Sequence, residues 1–298
     1  MPQWDPEIAV DAVLARRLLA EQFPELEPLP ITLLGAGWDN TVFAVGAEWV
    51  FRFPRKELIV PFLETEIALL PELAPLLPVP IPVPQQIGVP SDAFPWPFFG
   101  ARMLPGAELC NAPDTSRELL APQLGRLLRT LHGRDVLDAL GGRLQENWTR
   151  RADMQLRVPM IVEKLAVLDG LWHAPAHVHA MLDDALELPP PESTAACHGD
   201  LHFRHVLVDG DRVSGLIDWI DLCRGDPALD LQIVWSVLPP ETRGAFLAEY
   251  GDVEDATLLR ARVVAVFLCT ALLEYAHHEG LPAIEREAIV SLDRTARE

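Results

Sequence analysis

The chain has 298 residues, 49% hydrophobic and 23% charged, with a net charge of −20 at pH 7. That apolar share excludes a wholly disordered chain, and the acidity argues against nucleic acid as a partner, since phosphates require a basic surface. No run of eighteen apolar residues occurs and MPQWDPEIAV is no basic-then-apolar leader, so neither a membrane partner nor a secretory signal is expected and the compartment reads as cytoplasmic. Four scattered cysteines, Cys110, Cys197, Cys223 and Cys269, form no Cys-x-x-Cys pair and read as reduced thiols. All basic side chains but Lys56 and Lys164 are arginine, which reads as a compositional bias.

Residues 6–22 read as a helix with Ile8, Val13, Leu14 and Leu18 on one face. Residues 31–45 then read as strand, turn and strand, and the alternating Trp49–Phe53 as a third strand ended by Pro54. A helix is expected over 62–77, a stiff proline connector over 78–84, and strands over 85–89 and 98–104. The first stretch, 1–105, thus holds an antiparallel sheet with one main helix. Pro105-Gly106 marks the boundary with a mostly helical stretch, 106–298, and a hinge at about 100–106. Helices are expected there over 116–132, 150–168, 176–187, 227–237, 240–249, 257–279 and 282–296.

Chemistry concentrates in Cys197–Trp219. Two apolar runs, 206–208 and 213–217, flank Asp209-Gly210-Asp211, a hairpin signature. With Gly210 and Asp211 as the turn, His205 falls opposite Leu216, and a bulge would shift this by one residue. Asp218 follows at the same end, where the loop 198–204 enters, so Asp200, His205 and Asp218 are expected to converge. Such a trio suits phosphoryl transfer, which needs a group to orient and deprotonate the attacking hydroxyl and hard ligands for Mg²⁺ on the phosphates. His198-Gly-Asp200-Leu201 matches the first half of the kinase-type loop H-R-D-L-x-x-x-N. His205 stands where that pattern has Asn, and Asp218 where the metal-binding Asp stands.

With Ile217-Asp218-Trp219 and Gly225-Asp226-Pro227-x-x-Asp230-Leu231 in order behind it, this segment resembles the aminoglycoside/macrolide phosphotransferase family, antibiotic kinases with a protein-kinase-like fold. The resemblance spans nearly the whole chain. It implies an α+β, two-lobed fold: an N-terminal antiparallel sheet lobe with one main helix and a helical C-terminal lobe. It implies transfer of the γ-phosphate of ATP or GTP, with Mg²⁺, to a hydroxyl of an aminoglycoside- or macrolide-type acceptor. Asp200 then is the catalytic residue, and His205 and Asp218 the metal ligands. Gly35-x-Gly37 resembles the loop that covers the nucleotide. Arg52 stands where the family usually carries a phosphate-binding Lys, Glu66 at its ion-pair partner, and Arg102, Met103 and Leu104 in the hinge that holds the base. Arg52 and His205 depart from the common pattern, and the macrolide branch resembles the chain at both.

Two other readings use the same residues: a kinase of a metabolite hydroxyl (amino alcohol or sugar), and a nucleotide-binding module that no longer catalyses. His198, Asp226 and Asp230 are expected to brace the loops. Asp221 faces either substrate or solvent, and Trp38 reads as a packing residue. The Cys197, His198, His202, His205 cluster lacks the common zinc spacings. A monomer is the default.

Overall fold

Alternation of apolar and polar residues builds β1 (Ile31–Ala36), β2 (Asn40–Val45) and β3 (Trp49–Pro54); with β4 (Pro84–Gly88) and β5 (Phe98–Arg102) they form an antiparallel sheet in the order β1-β2-β3-β5-β4. These details come from a computed structural model that describes residues 5–112 and 115–297; the first four residues of the leader reading lie outside the described residues. Two helices accompany the sheet, α1 (Ala12–Gln22) and α2 (Val60–Leu73). α1 starts later than the expected residue 6, because the Asp11 carboxylate caps it by accepting the Leu14 N–H at 2.8 Å. Its buried residues are Ala15, Leu18 and Leu19, while Val13, expected inside, is 77% exposed. Ile8 lies ahead of the helix and packs on the sheet's aromatic core. In that core the rings of Phe53 and Phe98 stack at 4.7 Å. Gly100 makes room for it: a Cβ there would stand 2.5 Å from the Phe51 ring.

The remainder is helical: α3 (Thr115–Leu131), α4 (Arg134–Leu140), α5 (Met154–Leu168), α6 (Ala176–Ala185), α7 (Ala228–Leu231), α8 (Ile233–Ser236), α9 (Arg243–Tyr250), α10 (Asp255–Glu279) and α11 (Pro282–Ala296). Short strands interrupt it. β6 (Ala107–Glu108), β8 (Val206–Asp209) and β9 (Arg212–Leu216) form one sheet, and β7 (Ala195–Cys197) pairs with β10 (Cys223–Gly225). The helix expected over 227–237 is two short pieces, α7 and α8. α5 begins at Met154, not 150, because Asp153 caps it, which leaves 150–153 as a loop.

α10 packs against α5, α6, α7, α8 and α11. By length and composition it could cross a membrane, although Arg260 and Arg262 interrupt its apolar run. Here Val263, Val264, Val266 and Leu273 are fully buried. Arg260 is buried too, donating to the carbonyls of Ala152 (2.9 Å) and Pro189 (2.7 Å). The arginine bias thus has a structural use, since the guanidinium fork serves two carbonyls at once. Contacts divide the chain into two compact units: the described residues through Pro75 with Pro80–Leu104, and Leu76–Val79 with Pro105 onward.

Candidate active site

The hairpin positions the first pair of groups. Gly210 (φ +55°) and Asp211 make the turn, with Asp209 paired to Arg212. A bulge at Leu207/Val208 shifts the register, so Leu216 faces Val206 and the Ile217 N–H donates to the His205 carbonyl at 3.0 Å. His205 and Asp218 still meet at this end, Nε2 to Oδ2 at 3.4 Å. Asp218 has φ +65°, a left-handed conformation uncommon outside glycine and typical of functional positions.

The loop before the hairpin is fixed from behind. Buried Asp230 accepts the His198 N–H (2.8 Å) and the Gly199 N–H (2.9 Å), and meets His132 Nε2 at 3.1 Å. Burial would raise its pKa, but the His132 contact and the backbone donors outweigh it and hold the carboxyl below its ordinary value. Asp226 accepts the Ala228 N–H at 2.9 Å and pairs with Arg260 at 3.1 Å; burial pushes its pKa up. His198 donates from Nε2 to the Ile217 carbonyl (3.0 Å) and accepts the Asp200 N–H at Nδ1 (3.4 Å). Burial lowers its pKa, so it is a neutral tie between loop and hairpin.

Asp200 emerges from this frame with its side chain 21% exposed. Arg151 Nη2 lies 3.5 Å from its carboxylate, and Nη1 donates to the Gly199 carbonyl (2.8 Å) and to Asp221 (2.9 Å). Burial opposes the charge on Arg151, yet Asp200 and Asp221 outweigh it and raise its pKa. The Trp148 indole N–H donates to Asp221 at 3.2 Å. Asp221, left open between substrate and solvent by the sequence, is buried and held by these two groups. Neither Arg151 nor Trp148 stands in a motif. Arg151 falls within the helix expected over 150–168, and Trp148 just ahead of it.

The pair His205–Asp218 has the chemistry of a cation site. His205 Nδ1 lies 2.8 Å from the Asp200 carbonyl, which can only accept, so Nδ1 carries the proton. Burial lowers the pKa of His205 to about 4, so the ring is neutral at pH 7 and its Nε2 lone pair faces the Asp218 carboxylate. Two electron-rich atoms turned on each other suit a divalent ion shared between them. His202 is a poorer ligand: its Nδ1 accepts the Arg204 N–H at 3.2 Å, which leaves the proton on Nε2.

In the first unit, Arg52 and Glu66 pair at 3.2 Å with side chains 8% and 0% exposed. The pair is therefore a buried contact, not a surface one. Gly35 faces Val42 across β1–β2, and a Cβ on it would meet nothing within 4 Å. Gly37 donates its N–H to the Asn40 carbonyl at 2.9 Å and closes the turn. Arg102 stacks over Trp49 at 4.2 Å and pairs with Glu48. The Met103 N–H donates to the Glu48 carbonyl at 2.7 Å.

A carboxylate beside a His–Asp pair, on a hairpin preceded in the chain by a five-stranded antiparallel sheet, is the arrangement expected of a kinase-type phosphotransferase. The chain belongs to the phosphotransferase enzyme family, whose family model matches residues 30–263. Its fold is similar to the GDP and kanamycin complex of APH(2")-IIia (24% identity, 94% of this chain and 97% of that one, TM-score 0.69). It is also similar to macrolide 2'-phosphotransferase MphH from Brachybacterium faecium (22% identity, 95% and 98%, TM-score 0.59). Among curated relatives, a viomycin phosphotransferase of Streptomyces vinaceus is 34% identical over 100 residues, 32% of this chain and 35% of that protein. The uncharacterized protein YcbJ of Bacillus subtilis (strain 168) is 33% identical over 134 residues, 43% and 41%. The chain thus spans less than half the length of these two relatives. The expected α+β architecture, sheet first and helices after, is borne out.

Proposed function

We propose that this phosphotransferase moves the γ-phosphate of ATP or GTP to a hydroxyl of an antibiotic-type small molecule, an aminoglycoside or a macrolide, and so confers resistance. The observation that carries the reading is the placement of Asp200 on a loop pinned by Asp230, with the His205–Asp218 pair next to it. Asp200 orients the acceptor hydroxyl and takes its proton as the new O–P bond forms and the bond to the leaving diphosphate breaks. Mg²⁺, held by His205 and Asp218, supplies neutralising charge on the phosphates when bound. In the first unit, Arg52, braced by Glu66, contacts the α- and β-phosphates, the Gly35–Gly37 turn covers them, and the backbone of Arg102 and Leu104 holds the base. Relatives crystallised with GDP, and with streptomycin and ATP, support a nucleoside triphosphate donor without choosing the base. A monomer in the cytoplasm, where such donors are abundant, suits the reaction.

The reading is tested by nucleoside diphosphate release with Mg²⁺, ATP against GTP, across aminoglycosides and macrolides. Acceptor-stimulated release is expected, and Asp200→Ala should lower it by roughly 10²–10⁴-fold with nucleotide binding retained. Normal turnover in that variant would remove Asp200 from the role. A metabolite acceptor would show as stimulation by amino alcohols or sugars, with unchanged antibiotic susceptibility on expression. The non-catalytic reading, motivated by Arg52 and His205, would show as nucleotide binding with neither hydrolysis nor transfer across all acceptors.

A further inference from the structure

We propose that Arg55 is a positioning residue for the nucleotide: its guanidinium fixes the Gly35–Gly37 turn, and Glu7 and Ile8 hold Arg55 in place. This rests on the phosphotransfer reading above, in which that turn covers the phosphates, and adds to it the group that sets the turn's position.

The first observation is how lightly the turn is packed. β1 lies at the edge of the sheet, and every residue from Thr32 to Ala36 is exposed. A Cβ on Gly35 would meet nothing within 4 Å, and one on Gly37 would meet the Asn40 carbonyl oxygen at 3.8 Å. A cavity of about 300 Å³ is walled by the β1–β2 ribbon at Leu33, Ala36, Thr41 and Phe43, by Val10 and by Arg55. Atoms that face a cavity gain no dispersion energy from that side. The turn therefore depends on hydrogen bonds more than on packing. Its own bond, from the Gly37 N–H to the Asn40 carbonyl at 2.9 Å, closes the ribbon on itself.

The second observation is that Arg55 holds the turn at two points. Pro54 ends β3 and has no N–H, so the next backbone donor along the chain is that of Arg55. This N–H donates to the Asp39 carbonyl at 2.8 Å, and the guanidinium Nη1 donates to the Gly37 carbonyl. The second bond is charge-assisted and stronger than a neutral one. Arg55 is itself anchored. Its carbonyl accepts the Glu7 N–H (2.9 Å) and the Ile8 N–H (3.3 Å), and the Glu7 carboxylate accepts the Glu57 N–H (3.1 Å). Ile8 in turn packs on the aromatic core of the sheet. With its N–H and its carbonyl both engaged, Arg55 presents its guanidinium from a fixed base, and the turn is held before a nucleotide arrives. Such ordering raises the fraction of molecules competent to bind, and apparent affinity scales with that fraction.

The test makes two measurements on the full chain. Hydrogen exchange without nucleotide reads the turn, and titration with a fluorescent ATP analogue and Mg²⁺ reads binding. Arg55→Met keeps the aliphatic stem against the cavity and removes the donors, while Arg55→Lys keeps a cation beside the Gly37 carbonyl. In Arg55→Met the Gly37 amide should exchange roughly tenfold faster or more, and amides in the middle of β3 and β5 should exchange as before. Affinity for the analogue should fall about tenfold, as for a turn ordered in one molecule in ten. Arg55→Lys should recover part of both. Unchanged exchange at Gly37 overturns the inference. A loss of affinity without faster exchange also overturns it, because Arg55 would then touch the nucleotide itself. So does faster exchange without a loss of affinity, because the turn would then take no part in binding. Faster exchange across the whole sheet overturns it too, since Arg55 would then serve stability and not the turn. An unaltered chain that binds no nucleotide would overturn the phosphotransfer reading and the nucleotide half of the inference, whereas the exchange comparison still reads the Arg55 contact by itself.

Discussion

Gly199 is the residue where backbone geometry and chemistry are hardest to separate. Its φ of +85° is a conformation that side chains rarely adopt, and a Cβ would stand 2.3 Å from the Asp221 carbonyl oxygen. Its carbonyl also receives Arg151, and its N–H goes to Asp230. Gly199→Ala therefore disturbs the strand of contacts that aims Asp200. The left-handed strain alone costs about 1–3 kcal/mol, and the backbone clash adds to it. Denaturant unfolding should show a loss of at least that size, and kcat should fall while the nucleotide KM stays near its original value. Gly35 provides the contrast. An added methyl there meets nothing within 4 Å, so Gly35→Ala should leave stability within about 0.5 kcal/mol and show its effect, if the turn covers phosphates, in the nucleotide KM.

At the scale of elements, a buried ion pair joins β3 to α2. Glu66 is fully buried and Arg52 nearly so. Removing the cation takes the ion-pair partner from a buried carboxylate, so Arg52→Ala should cost about 3–5 kcal/mol. Arg52→Lys keeps the charge and should recover much of that while changing the phosphate contact, since an ammonium lacks the planar fork. Equal unfolding midpoints for Arg52→Ala and the unaltered chain would show that the pair does not bridge the two elements. Sequence showed this pair by position alone, and it showed the hairpin because Asp209-Gly210-Asp211 between apolar runs has few other solutions. The bulge at Leu207 moved the register by one residue, which no local signal declares. β7 and β10, three residues each, are shorter than any period can reveal, and so is the split of 227–237 into α7 and α8. Arg151 and Trp148 were illegible for a different reason. They reach the site from a loop created by the late start of α5 at its Asp153 cap, about fifty residues upstream of the motif they serve, and only tertiary packing brings them there.

For the whole molecule, the site sets how stability responds to pH. His198, His202 and His205 are buried, and burial lowers the pKa of each, that of His205 to about 4. In the unfolded chain each titrates near 6.5. Below that value the unfolded state takes up protons that the folded state refuses, so stability falls as pH falls, by up to about 1.4 kcal/mol per pH unit for each histidine. Asp230 acts in the same direction at lower pH: its depressed pKa contributes stability above the ordinary carboxylate value, and this is lost as pH falls through the folded value. Asp226, raised by burial, has the opposite sign. The net charge of −20 also opposes the trend, since self-repulsion relaxes as pH approaches the isoelectric point near 4.8. Salt separates the two contributions, because repulsion between surface charges is screened and the titration of a buried ring is not. Thermal unfolding at pH 7, 6 and 5, in low and high salt, should show the midpoint falling toward pH 5, and more steeply in high salt, where the relief of repulsion is already complete. A midpoint unchanged between pH 7 and 5 in high salt would mean that the three rings are not held neutral. The loop 198–204 would then be more open to water than its packing on Ile217, Asp230 and Trp219 indicates.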